Sequence, residues 1–336
     1  MVQSQWRVAC VRIPRFAIGA LWRAQGAAGS AGEGARQLAL PLGAEAGVAD
    51  AGPHWDERPL GIVEGQRLRA VTAAAGRRRV RAGMTLAEAK ASCADLEPLA
   101  WDARVVDQAI TQATAALVLA SPQVTPAASA PGVWWIGAGG LDGVGGERGL
   151  VRTLWRVATL WHPQPRIAVA DSCVAARAAT WAAEPEAGVT VVRGKLNGAA
   201  GRDDAIIGII VPRGGCAAWL ARAPLALLPL DDELRATLVA LGLRTAGAFA
   251  ALDPGEVERR WGAEGLLAWR LARGDDPRRP VLAQLEASRE VAAELATPAE
   301  SLEPVLFLVR AALERLTSTL AAEGRAVAAL AFTLTL

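Results

Sequence analysis

Two sets of arginines hold most of the chemistry this sequence offers. In GRRRVRAGM, Arg77, Arg78, Arg79 and Arg81 stand almost side by side. Such a run attracts a phosphate backbone by charge alone, and it equally suits an ordinary solvated face. In WRVACVRIPRF, from Trp6 to Phe16, an apolar stretch that includes Val8, Cys10 and Ile13 ends in Arg12 and Arg15. A strand end of this design suits carboxylates, yet its charges here are cationic.

Other reaction centres find little support. Gly194-Lys195 is followed by Leu196 and lacks the upstream glycine of a phosphate-binding loop. In GAGGLDGVGGERG, Asp142 falls where the third glycine of a dinucleotide loop belongs, so a Gly-rich turn explains the composition as well. His54 and His162 are the two histidines, and neither stands in H-E-x-x-H; surface or loop positions are expected for both. Cys10, Cys93, Cys173 and Cys216 form no C-x-x-C pair, which implies buried, reduced thiols in a cytoplasmic protein.

Several elements must position these residues. A strand with Val8, Cys10 and Ile13 among its members leads into a helix over AIGALWRAQG, and a Gly- and Ala-rich stretch at about 26–57 reads as a mobile insertion. The strand PLGIVEG, the segment RLRAVTAAAG and the helix TLAEAKASC follow, and helical period then runs through VVDQAITQATAALVLA to Ser121-Pro122. GVWWIGAGG and RIAVA read as strands, and SCVAARAATWAA as a helix. ELRATLVALGLRTAGAFAAL reads as helix, Gly242 turn, helix, a hairpin able to offer turn N–H groups to a phosphate. ARGDDPRRPV is a linker by composition, and REVAAELA a strand. The next helix is expected to begin at Thr297 as N-cap, with Pro298 at its first position and Glu300 closing a capping box. Its expected buried stripe is Leu302, Val305, Leu306, Val309, Leu313, Leu316 and Leu320. A final strand, AVAALAFTLTL, leaves a small sheet that reads as incomplete, so a fragment of a longer chain is expected.

A chain of 336 residues has room for two or more modules. Apolar runs such as AIIGIIV are too short to span a bilayer, and MVQSQWR has no basic-then-apolar leader, so a soluble protein without membrane partners is expected. A net charge of +2 argues neither for nor against nucleic acid.

The strings VRIPRFAIGAL, RVRAGMTLAEAKASC, SPQVTPAASAPGVWWIG, RIAVADSCVAARAAT and LGLRTAGAFAAL together resemble segments of the Y-family (DinB-like) translesion DNA polymerases. The resemblance covers most of the chain apart from the insertion. It implies an α+β right hand: a palm over 1–12 and 84–182, fingers over 13–83, a helical thumb with helix-hairpin-helix over 183–272, a linker over 273–284, and a truncated little finger over 285–336. It also implies where the chemistry should sit. The first aspartate of the D-x-D-x-F-F/Y motif is Arg12 here, the second is Pro14, Phe16 keeps the first aromatic, and the steric-gate position is Ala17. The Asp and Glu of the S-x-D-E motif fall on Ala130 and Pro131. The triphosphate-gripping Tyr and Arg fall on Ala73 and Gly76, and the Lys of K-P-N-G on Glu184.

At an effective dielectric near 20, two unit charges about 4 Å apart interact by ~4 kcal/mol, so a cation at Arg12 repels a divalent ion by roughly twice that. No metal or other cofactor is therefore expected. This pattern resembles the catalytically inactive ImuB-type relatives of bacterial mutagenesis cassettes. That resemblance implies a bacterial, nucleoid-associated pseudoenzyme that acts as an adaptor in SOS mutagenesis and translesion synthesis. Its implied partners are the sliding clamp, the RecA-like ImuA and an error-prone C-family DNA polymerase, with primer-template DNA bound weakly and non-specifically. In QLALPL, Gln37, Leu38, Leu40 and Leu42 resemble a clamp-binding peptide, although a packed strand accounts for the same string. The DNA-backbone candidates are Arg77, Arg78, Arg79, Arg81, Gly242 and Arg244. The alternatives are an active polymerase with an unusual metal site, a non-specific DNA-binding scaffold, or an accidental likeness.

Overall fold

The computed structural model describes residues 6–29, 54–118, 120–121, 123–128, 130–139, 145–182, 188–194, 205–277 and 301–322. The chain divides into two compact units, Met1–Leu285 and Glu286–Leu336.

The first unit is organised around β1 (Val8–Arg12). Strand alternation sends Val8 and Cys10 to one face and Ala9 and Val11 to the other, and all four are fully buried. A strand apolar on both faces belongs inside a sheet covered on both sides. After β1 comes α1 (Phe16–Gly29), which extends past the start expected for the insertion. Next come β2 (Leu60–Glu64), β3 (Arg67–Val71), α2 (Ala73–Arg77), α3 (Leu86–Ser92) and β4 (Glu97–Ala100). The chain continues with α4 (Ala103–Val118), β5 (Val124–Pro126), β6 (Val133–Gly137), α5 (Gly146–Ala158), β7 (Arg166–Ala170) and α6 (Cys173–Ala179). β8 (Thr190–Gly194) and β9 (Ala205–Ile210) precede the helices α7 (Cys216–Leu220), α8 (Asp232–Ala240), α9 (Ala246–Ala250) and α10 (Pro254–Ala272).

Six strands form one sheet in the order β5-β6-β1-β7-β9-β8. β1 is antiparallel to both neighbours, with Arg12 opposite Val133 on β6 and opposite Arg166 on β7. α6 and the helices after β9 cover the Cys10 face, while α4 and α5 cover the Val11 face. Trp134, fully buried on the second face, donates its indole N–H to Thr114 Oγ1 at 2.9 Å and meets Phe16 edge-on. A three-stranded sheet, β3-β2-β4, forms a smaller layer with α2 and α3. α3 starts on a capping box in which Thr85 and Glu88 satisfy each other's backbone N–H groups.

Three expected boundaries move. The region over 183–272 is not wholly helical: β8 and β9 extend the central sheet, because Ile207 and Ile209 are buried and need its faces. The smaller layer runs past residue 83 to β4, since Leu96 and Leu99 complete its core. The expected insertion ends earlier than residue 57: Trp55–Glu57 forms a turn of 3-10 helix whose Trp55 is buried against α1.

The second unit contains α11 (Glu303–Ala322). The helix expected from Thr297 instead starts at Glu303, after a bend at Ser301 and Leu302. Pro304 is the reason: it has no N–H to give and is tolerated only in a first turn. Thr297, Pro298 and Glu300 lie outside the described residues. The expected buried stripe is also corrected, for Leu302 and Leu306 are exposed and Val305, Val309, Leu313 and Leu316 are half-buried. REVAAELA and AVAALAFTLTL lie outside the described residues. All four cysteines are buried, and among the described residues no helix is long and apolar enough to cross a membrane.

Candidate functional site

The C-terminal end of β1 gathers residues from four parts of the chain. Ile13 donates its N–H to Gly132 O at 2.7 Å, which sets the turn holding Ala130 and Pro131 beside the strand end. Gly132 has φ of 93°, and a Cβ there would lie 2.6 Å from Ile13 O and from Phe16 Cβ, so only glycine allows this approach. Arg12 continues the row of Val8 and Cys10. Its Nη2 donates to Thr180 O at 2.8 Å just beyond α6, and its guanidinium lies 3.9 Å from the centre of the Trp181 ring. The half-buried Arg166 stands opposite it and donates to Ile206 O at 3.0 Å.

This is a cationic site. Burial pushes the Arg12 guanidinium down to about 10, and the charges of Arg166 and Arg15 push the same way. Arg12 Nε is buried with no hydrogen-bond partner. On the same row, burial raises the Cys10 thiol to about 12, with Arg177 drawing it back. A divalent cation does not fit here, because a half-buried guanidinium occupies the strand end and a second stands across the strand pair. Among the described residues no three His, Cys, Asp or Glu side chains gather as a metal site.

Ala17 is half-buried in the first turn of α1 and packs beside Ile18 and Trp55. Ala73 opens α2, and its N–H donates to Asp56 Oδ1 at 2.9 Å. The second oxygen of Asp56 takes Arg15 at 3.0 Å and lies 3.6 Å from His162 Nε2. An internal carboxylate therefore sits on the amide and guanidinium that link α1 to α2. Burial opposes the Asp56 charge, but His162, the Ala73 N–H and Arg15 outweigh it and hold the carboxyl below its ordinary value. His162 lies in a loop, one of the two positions expected for it, but is only 4% exposed because it packs on Trp55 and His54. Gly76 is exposed, with open space where a side chain would project. Glu184, Gln37, Leu38, Leu40 and Leu42 lie outside the described residues.

Of the backbone-binding candidates, Arg77, Arg78, Arg79 and Arg81 are all exposed around the end of α2. Arg78 is paired with Asp95. In the α8–α9 hairpin, the Gly242 N–H donates to Val239 O and the Leu243 N–H to Leu238 O, each at 3.0 Å. Those two amides are spent closing α8, so Gly242 serves the turn through its φ of 81° rather than as a donor. Arg244 is exposed beyond it.

Sequence reasoning missed Trp181 and Arg166. Only the sheet register and the end of α6 bring them to Arg12. A tryptophan just after a helix C-terminus was the one local signal available.

No protein-family model and no curated protein sequence matches the chain. Solved structures do. The chain is similar to DinB from Sulfolobus solfataricus with a TM-score of 0.54 and 12% identity, over 82% of this chain and 69% of that one. It is similar to a Dbh ternary complex with a TM-score of 0.54 and 13% identity, over 93% of this chain and 80% of that one. An insertion ternary complex of Dbh DNA polymerase gives a TM-score of 0.56 at 12% identity, over 81% and 69% of the two chains. At such identities the likeness is one of fold, and the fold is that of Y-family, DinB-like polymerases.

Proposed function

We propose that this chain uses a polymerase-type fold without polymerase chemistry, as a DNA-associated adaptor in damage-induced mutagenesis. The observation that supports this most is the end of β1, where Arg12 is held by Thr180 O and Trp181 with Arg166 across from it. The neighbouring turn offers Ala130 and Pro131 rather than carboxylates. Phosphoryl transfer by two metal ions needs anionic ligands to hold the cations against the attacking and leaving oxygens. Arginines there attract a phosphate and repel the ion that would activate it.

The exposed arginines beyond α2 favour backbone contact with DNA, which would weaken steeply as salt rises. The sliding clamp, ImuA and an error-prone C-family polymerase are the partners implied by the resemblance to ImuB-type proteins. In this reading the partner polymerase performs the synthesis and this chain recruits it.

Primer extension with Mg²⁺ and all four deoxynucleotides tests the proposal directly. The expected result is no product above a mock preparation, and product formation overturns it. Pull-down with clamp and polymerase as prey tests the adaptor role, which fails if neither is retained.

A further inference from the structure

We propose that the outer face of Trp181 is a stacking platform for an unpaired base of single-stranded DNA, with Arg12 fixed behind the ring. This deepens the DNA-associated reading above and rests on it.

All twelve tryptophans lie among the described residues, and Trp181, at 56% exposure, is the one that is exposed. Leaving an indole in water sacrifices one of the largest apolar burials available to a side chain, and the other eleven are buried or half-buried. The ring is nevertheless held on one side, since the guanidinium 3.9 Å from its centre is itself anchored on Thr180 O. A cation on one face and solvent on the other leaves a flat, oriented surface of base size.

The surroundings specify an anion. Among the described residues Arg12 has no carboxylate partner, Arg166 stands opposite it on the neighbouring strand, and Arg177 lies near enough to act on Cys10. Arg12 Nε is a buried donor left without a hydrogen-bond partner among the described residues. A flat aromatic beside excess positive charge is the pair of features that single strands use, base on ring and phosphate on arginine. Duplex DNA supplies the phosphate but keeps its bases stacked inside, so the ring contributes only when a base is unpaired.

The test uses the whole chain and fluorescence anisotropy with two probes, a labelled oligothymidine and a hairpin duplex of similar charge. Trp181→Ala is expected to weaken oligothymidine binding about tenfold. Duplex affinity and the salt slope should stay unchanged, because no phosphate contact is lost. Trp181→Phe, which keeps an aromatic face, should retain most of the affinity. Unchanged oligothymidine binding by Trp181→Ala overturns the platform. If the Arg77→Ala, Arg79→Ala, Arg81→Ala triple variant then loses both probes, the platform fails while association with DNA stands. Failure of the unaltered chain to bind either probe overturns both.

Discussion

The two ends of the first strand each hold an arginine, one buried and one half-buried, in opposite electrostatic settings. At one end Arg7, with 1% of its side chain exposed, meets Glu147 at 2.6 Å, Asp171 at 2.9 Å and Val211 O at 3.0 Å. Burial works against its charge, but the two carboxylates outweigh burial and raise its pKa. At the other end Arg12 has a carbonyl, an aromatic ring and another arginine, and burial lowers its pKa to about 10. A third case lies just beyond, where Arg15 is neutralised by Asp56. Arg7 and Arg15 hold elements together by ion pairing. Arg12 is the arginine of the three whose compensation within the fold is weakest, which is why its end reads as a place for something from outside.

The comparison breaks most visibly at Arg7. Arg7→Ala leaves Glu147 and Asp171 facing each other unpaired, and a loss of about 3 kcal/mol is expected, at the low end for buried pairs because both carboxylates keep some solvent. Urea denaturation measures it, and a loss under about 1 kcal/mol would show the cluster to be an ordinary surface pairing.

Acid should act next, through the Asp56 neighbourhood. Burial, and then His162, lower the His54 pKa from 6.5 to about 4, so the unfolded chain takes up a proton there before the folded one does. Stability therefore falls as pH drops from 6.5 to about 4. The contribution of Asp56 is present above 3.8 and is lost as pH falls through its lower folded value. Melting temperature against pH should show both limbs, and His54→Gln should flatten the first while leaving the second.

The smallest effect is expected at Arg12. Replacing a poorly compensated, half-buried cation with an apolar side chain of similar length is often neutral, so Arg12→Met should shift stability by less than about 1 kcal/mol in either direction. Divergence between Arg7→Ala and Arg12→Met sharpens the contrast between the strand ends, and equal losses would erase it.

Much of the fold was readable because it rests on local pattern. The apolar run of β1, the strands β6 and β7 beside it, the period of α4 and the Gly242 hairpin all stand where residue types place them. β8 and β9 were harder: β8 buries a single residue, and the short apolar run of β9 suits a helix as well as a strand until its sheet partners are known. The start of α11 was misread because Thr297-Pro298 carries the local signs of a helix start, whereas Pro304 supplies the constraint. His162 gave no sign of burial, since its cage of Trp55, His54 and Asp56 comes from distant sequence.

By itself the sequence determined that arginines stand at the end of β1, because the charge of a side chain is a property of its own chemistry. Whether that charge is compensated was decided only in three dimensions. Arg12 reaches Thr180 across 168 positions and faces Arg166 through strand register, while Arg7 finds Glu147 across 140. Coulomb interactions depend on distance and burial, and both exist only once the sheet and α6 have closed around the strand.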